Sequence, residues 1–283
     1  MARKIRSFFI LLQLFVFATV LPAQSLPYSE LEQGVLVERL RQFSGPDWVR
    51  AATLKRLFQN SGCTGENLQE QMVENADAPN VICTLPGATD QVIIVGAHFD
   101  YVPKGDGVAD NWSGASLLAS LYQSLSVAPR HHTFIFIGFT DEVEGFIGSQ
   151  AYVERLTPEK LQRIRAMINL DTLGLGPLQV WVSDSDPRLV GAISGLAGAM
   201  QLPLGGMNVD GIGDSDGRSF KKLGIPIITL HSVTPDNVKI LHTNRDNLSA
   251  IKLQEYYNSY RLILRYLVNL DGALANDPPP ANR

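Results

Sequence analysis

Three of the five histidines and a group of carboxylates stand just after short apolar runs. His98 and Asp100 follow QVIIVG, while Asp141, Glu142 and Glu144 follow TFIFIGF. Asp171 follows AMINL, and His231 follows IPIITL, with His242 a short loop later. Imidazole and carboxylate donors without thiolate form the ligand set of a catalytic zinc or of a pair of first-row metals, with cobalt or manganese as chemical alternatives. Asp100 is spaced to hydrogen-bond the imidazole of His98 and fix its tautomer. Asp110, in the Gly- and Asn-containing stretch 105–114, has two oxygens with which to bridge two metals. Each of these residues has a plainer reading alone, as a turn-forming Asp or a satisfied core His. Their convergence is what argues for a site. The chain has no His-Glu-x-x-His helix and no Gly-x-x-x-x-Gly-Lys phosphate loop, and a serine-nucleophile elbow is not expected. The His131-His132 pair precedes its strand and is expected at the surface, away from the site.

The elements that must position these groups follow from hydrophobic period. The runs 91–96, 133–139, 166–170, 178–182 and 225–230 are nearly continuous and several are rich in Val and Ile. Such runs suit strands buried on both faces. Between and around them, 30–43, 48–58, 113–126, 146–156, 186–200 and 249–270 read as helices, the last with Asn247 or Ser249 available as N-cap. The resulting expectation is an α/β single domain, a mixed and mostly parallel sheet sandwiched between helices. The candidate residues then fall at the carboxyl ends of the strands, the edge where open α/β sheets bind ligands.

The first residues stand apart. Arg3, Lys4 and Arg6 precede an apolar run from Phe8 to Leu21, with small residues near Ala23. That pattern describes a signal peptide over residues 1–23, shorter than the ~20 apolar residues of a membrane span. No Cys follows the run to carry a lipid. Its removal predicts an exported protein, periplasmic or secreted, with no stable membrane anchor. It would leave 21 basic against 28 acidic residues, a formal charge of −7. An acidic balance argues against a nucleic-acid groove, so no nucleic acid is expected as a partner. Cys63 and Cys83 are too sparse for a disulfide scaffold, and the sequence leaves one bridge or two buried thiols open. The domain reading is 1–23 signal peptide, 24–74 a helical segment packing on the domain, 75–270 the catalytic domain, and 271–283 a flexible tail.

Over roughly residues 75–270 the chain resembles the co-catalytic zinc aminopeptidases, whose relatives include the glutaminyl cyclases. The blocks are GAHFD (96–100), GVADNWSGASLL (107–118), FTDEVEGFIGS (139–149), INLDTLG (168–174), SDGRSFKKLGIPIITL (215–230) and HTNRDN (242–247). The resemblance implies one or two zinc ions and a peptide or small amide as substrate. It implies His98 and Asp171 as ligands of one zinc, Asp110 as the carboxylate bridging both, and His242 as a ligand of the second. It makes Glu142 the general base, Asp100 the orienter of His98, and Asp216 part of the substrate pocket.

One position departs from that pattern. Anchoring on Gly145 and Gly148-Ser149 puts Val143 where the family places a glutamate ligand of the second zinc. Glu144 is the candidate replacement ligand, although adjacent side chains in extended chain point to opposite sides. The expected function is an exported zinc aminopeptidase with an atypical second metal site. The alternatives are a non-catalytic peptide-binding relative and a glutaminyl cyclase.

Overall fold

The computed structural model describes residues 28–211 and 213–275. The proposed signal peptide and the NDPPPANR end lie outside the described residues. The helices are α1 (Gln33–Leu40), α2 (Asp47–Asn60), α3 (Ser113–Leu125), α4 (Ile147–Glu154), α5 (Pro158–Arg163), α6 (Pro187–Met200), α7 (Gly217–Lys221) and α8 (Leu253–Ala275). The strands are β1 (Leu68–Gln71), β2 (Asn80–Leu85), β3 (Val92–His98), β4 (Thr133–Phe139), β5 (Ile164–Leu170), β6 (Leu178–Val180), β7 (Leu204–Gly206) and β8 (Ile227–His231). They form one sheet in the order β1-β2-β4-β3-β5-β8-β6-β7.

The four central strands, β4, β3, β5 and β8, are mutually parallel. Every residue of β5 and β8 is buried, as expected for strands covered on both faces. Alternation along β3 divides the core. Ile93, Val95 and Ala97 join Phe134, Phe136, Ile168 and Leu230 beneath α1, α2, α3, α6 and α8. Ile94 faces the other way, with Ile137, Phe139, Met167 and Phe220, toward α4, α5 and α7. The result is an α/β single domain with a mixed, mostly parallel sheet between two helical layers, as the sequence pattern predicts. Because the central strands share a direction, their carboxyl ends emerge at one edge. From β3 the chain passes to β4 on one side, then to β5 on the other, so that edge contains a switch point where a crevice opens.

Several local choices bring loops close to that edge. Gly114, in the first turn of α3, sits where a Cβ would lie 2.8 Å from the Leu170 carbonyl oxygen, so only glycine lets this turn approach the end of β5. The α2 residues Arg50, Ala51, Leu54, Leu57 and Phe58 recur at helical spacing on its buried face. Through them the N-terminal helices share the core of α3 and α8.

The structure revises three local expectations. His132 is fully buried rather than at the surface, its Nδ1 2.9 Å from Asp271 Oδ1. The same carboxylate accepts the main-chain amides of His131 and His132, so the pair anchors the entry of β4 to α8. α8 begins at Leu253 and runs through Ala275, while Asn247 caps a short 3₁₀ turn, Leu248–Ala250, accepting from the Ser249 amide. Residues 271–275, expected in the tail, are therefore helical.

The cysteines are joined. Cys63 and Cys83 are both fully buried with Cα atoms 6.3 Å apart, tying the end of α2 to β2. Closing a loop over a separation of 20 residues restricts the unfolded chain by about 3 kcal/mol. Replacing both cysteines by alanine is expected to lower unfolding stability by roughly that amount, read as a fall in the urea midpoint. An unchanged midpoint would show that the bridge contributes nothing.

Candidate metal centre

His98 is the last residue of β3 and is 2% exposed. Its Nε2 stands 3.3 Å from Asp110 Oδ1 and 3.9 Å from Asp171 Oδ1. Its Nδ1 faces Asp100, 3.2 Å from the main-chain oxygen and 3.3 Å from Oδ1. The other Asp100 oxygen accepts the Val143 amide at 3.0 Å, so one carboxylate ties the imidazole to the loop after β4.

Asp110 lies in the turn preceding α3, where its peptide bond to Asn111 is cis. Its Oδ2 is 3.0 Å from His242 Nε2, so its two oxygens address two imidazoles, His98 and His242. Burial alone would raise its pKa, but hydrogen bonding to His242 and His98 outweighs burial and holds the carboxyl far below the usual range. Asn111 fixes the turn. Its Nδ2 donates to the Leu170 carbonyl, and its Oδ1 accepts the amides of Gly114 and Thr172. Backbone at positive φ recurs around the site, at Asp141, Thr172 and His242 (φ 51°, 52° and 55°). Such conformations are sustained only where the surroundings over-determine them.

One donor atom each from His98, Asp110 and Asp171 lie within 4.8 Å of one another. Two carboxylates and an imidazole converging from a strand end and two following turns match the three-ligand set of a catalytic zinc with a fourth position left for water or substrate. The donor set fits the metal.

These groups border a cavity of about 430 Å³. Glu142 and Val143 line it together, and Phe146, Trp181, Val209, Val233 and Leu241 give it apolar walls. Burial pushes the Glu142 carboxyl well up, opposed by His98 and reinforced by the neighbouring carboxylates of Asp216, Asp171 and Asp110. His242 is 58% exposed, and its hydrogen bond to Asp110 raises its pKa.

Two candidates do not line the cavity. Glu144 is exposed and is not among the lining residues. Asp216, at the start of α7, is 1% exposed and does not line the cavity either. Burial raises its carboxyl to about 7, against the pull of His98.

His231, singled out by its place after an apolar run, and two residues that pattern passed over complete the surroundings. His231 lines the cavity, but both ring nitrogens are engaged: Nε2–H donates to the Met207 carbonyl and Nδ1 accepts the Val233 amide. Asn80 in β2 accepts the Thr140 amide and donates to the Gly148 carbonyl, fixing both ends of the Glu142 loop. Contrary to expectation, a Gly-x-Ser-x-Gly spacing does occur at Gly213–Gly217. Ser215 is buried and its Oγ lies 3.4 Å from Thr229 Oγ1, so it is no exposed nucleophile.

The shifted carboxyls give the metal-free protein a pH dependence. Burial raises Asp47 and Asp246 to about 6 and Asp216 to about 7. A carboxyl with a raised folded pKa binds more protons folded than unfolded, so stability falls as pH rises from about 4 through these values. His231, lowered by burial, works the other way. Chelator-treated protein is expected to melt at a lower temperature at pH 8 than at pH 5. A midpoint that rises over this interval would contradict the assignment.

Comparison with known protein families matches residues 80–267 to Peptidase family M28. The chain is 30% identical over 184 residues to leupeptin-inactivating enzyme 1 of Streptomyces exfoliatus, covering 64% of this chain and 39% of that protein. It therefore spans about two fifths of that relative. A zinc aminopeptidase from Bacillus subtilis superposes with a TM-score of 0.60 at 23% identity, over 67% of this chain and 49% of the other. The glutaminyl cyclase of an Acidobacteriales bacterium superposes with a TM-score of 0.72 at 17% identity, over 90% and 100%. At those identities the two structures bear on the fold alone. With the family match spanning most of its length, the chain belongs to Peptidase family M28.

Proposed function

We propose that this chain is an exported, metal-dependent aminopeptidase that removes N-terminal residues from peptides. The observation that carries the reading is the convergence of His98, Asp110 and Asp171 beside Glu142 at the rim of one apolar-walled cavity. His98, Asp110 and Asp171 would hold a zinc, which when bound supplies Lewis acidity that polarises a carbonyl and makes water acidic. Glu142 accepts the proton of the attacking water and returns it to the leaving amine. Burial first, then the neighbouring carboxylates, raise its carboxyl above the ordinary range, making it a stronger base than a solvent-exposed glutamate. Asp100 keeps Nδ1 of His98 engaged, so Nε2 is the nitrogen turned toward Asp110 and Asp171. The apolar walls exclude water and favour an uncharged N-terminal side chain.

The second metal position is reduced. Asp110 Oδ2 and His242 Nε2 remain as donors, Val143 offers none, and Glu144 is exposed outside the cavity. Two protein ligands fall short of the usual three. We therefore assign one firm zinc site and one weak one. Among the described residues, no helix is long and apolar enough to span a bilayer. The basic and apolar start of the chain supports export.

A second reading is a glutaminyl cyclase, favoured by the superposition that covers all of the cyclase chain. A third is a peptide-binding relative without activity, favoured by Val143. Incubation with peptides bearing varied N-termini separates the three. Loss of single residues supports the aminopeptidase, loss of ammonia alone from N-terminal Gln supports the cyclase, and binding without mass change supports the third.

Glu142→Gln is expected to lower the hydrolytic rate by roughly 10²- to 10⁴-fold while leaving bound zinc unchanged. A full rate in that variant would remove Glu142 from the mechanism. Val143→Glu is expected to raise bound zinc toward two ions per chain, read by metal analysis after dialysis. Unchanged metal content would show that position 143 is not a missing ligand.

A further inference from the structure

The segment Phe99–Ala109 joins two of the candidate ligands, His98 and Asp110, and its stretch Tyr101–Gly107 has neither helix nor strand. A loop of that kind does not place a carboxylate by itself. Two buried charges grip it from different parts of the chain.

The first is Arg50, on α2 and 1% exposed. Its Nη1 donates to the carbonyls of Phe99 at 3.0 Å and Gly107 at 3.3 Å, and its Nη2 donates to the carbonyl of Asp106. The guanidinium lies 3.9 Å from the centre of the Tyr101 ring, which belongs to the same loop. Gly107 completes the fit: it has φ +55°, and a Cβ there would meet Tyr101 Cβ at 2.3 Å. Arg50 lies outside residues 80–267, the part of the chain that matches the family.

The second is Asp246, 2% exposed and four residues beyond His242. Its Oδ1 accepts the Ala109 amide at 2.7 Å and its Oδ2 accepts the Asp110 amide at 3.2 Å. Its main-chain oxygen accepts the Asp106 amide at 2.8 Å. The two loops meet so closely that a Cβ on Gly105 would lie 2.2 Å from the Thr243 carbonyl oxygen. Thus a cation holds the loop by its carbonyls and an anion holds it by its amides.

We propose that Arg50 and Asp246 are positioning residues that clamp the loop between His98 and Asp110, fixing where the Asp110 carboxylate stands relative to His98, Asp171 and His242. This rests on the metal-site reading above. It makes the N-terminal helical segment part of the metal centre's support, because Arg50 carries the hydrogen bonds from α2 to the loop. Lysine cannot replace it, since a single ammonium does not spread over three carbonyls as a planar guanidinium does. Asparagine at 246 leaves one acceptor where two amides point.

The test is zinc affinity of the full protein, measured by competition with a chromophoric chelator well below the unfolding temperature. The variants are Arg50→Lys, Asp246→Asn and, as a comparator from the core face of the same helix, Leu57→Ala. Each clamp variant is expected to bind zinc about tenfold or more weakly, the range found when groups supporting metal ligands are removed. Leu57→Ala is expected to lower the thermal midpoint while changing zinc affinity less than twofold. In metal-free protein, Asp246→Asn is also expected to speed hydrogen exchange at the Ala109 and Asp110 amides, a readout general destabilisation would not confine to that loop. If Arg50→Lys does not fold, Asp246→Asn carries the test alone. The clamp is overturned if parent and clamp variants bind zinc within twofold of each other, or if Leu57→Ala loses as much affinity. A parent that binds no zinc overturns the metal reading itself, and the clamp with it.

Discussion

The site depends on one carboxylate being shared. Asp110 sends Oδ1 to His98 and Oδ2 to His242, one imidazole at the end of β3 and the other on a loop far along the chain. Without a cation, such a group is costly to bury, and the pull of both histidines is what keeps it ionised. Satisfying it requires β3, the turn before α3 and the loop after β8 to end at the same place. The parallel run of β4, β3, β5 and β8 provides that coincidence, since strands of one direction deliver their carboxyl ends to one edge. The small first turn of α3 and the Asn111 hydrogen bonds then bring Asp110 to the end of β5.

Much of this was legible in the sequence because the central strands have few alternatives. TFIFIGF and AMINL are too apolar for an exposed position and too short for a buried helix, and each is followed within three residues by a carboxylate able to do chemistry. The elements that pattern missed owe their form to partners instead. β1 is the polar tetrapeptide LQEQ, a strand only because β2 pairs with it, and β7 is three residues at the opposite edge. Nothing in the sequence near His132 signals its burial, because its partner, Asp271 on α8, lies 139 residues away. For the same reason Asn80 and Arg50 gave no local signal: each acts on a loop distant in sequence, and neither belongs to a chemical motif.

Position 143 shows how main chain and side chain divide the work there. The Val143 amide still donates to Asp100, and through Asp100 it still steadies His98. The Val143 side chain, which lines the cavity with Asp110 and His242, has no donor atom. On the proposed reading, valine at 143 keeps the main-chain support of Asp100 while offering no side-chain donor for a second metal. Glu144 is exposed and does not line the cavity.

The central claim is a zinc position built from His98, Asp110 and Asp171, and crystallography with zinc tests it most directly. Anomalous scattering collected at the zinc edge is predicted to give its strongest peak about 2.0–2.2 Å from His98 Nε2 and from an oxygen of each carboxylate. A weaker peak, or none, is predicted between Asp110 and His242. Zinc bound elsewhere on the protein with no peak beside His98 would contradict the account.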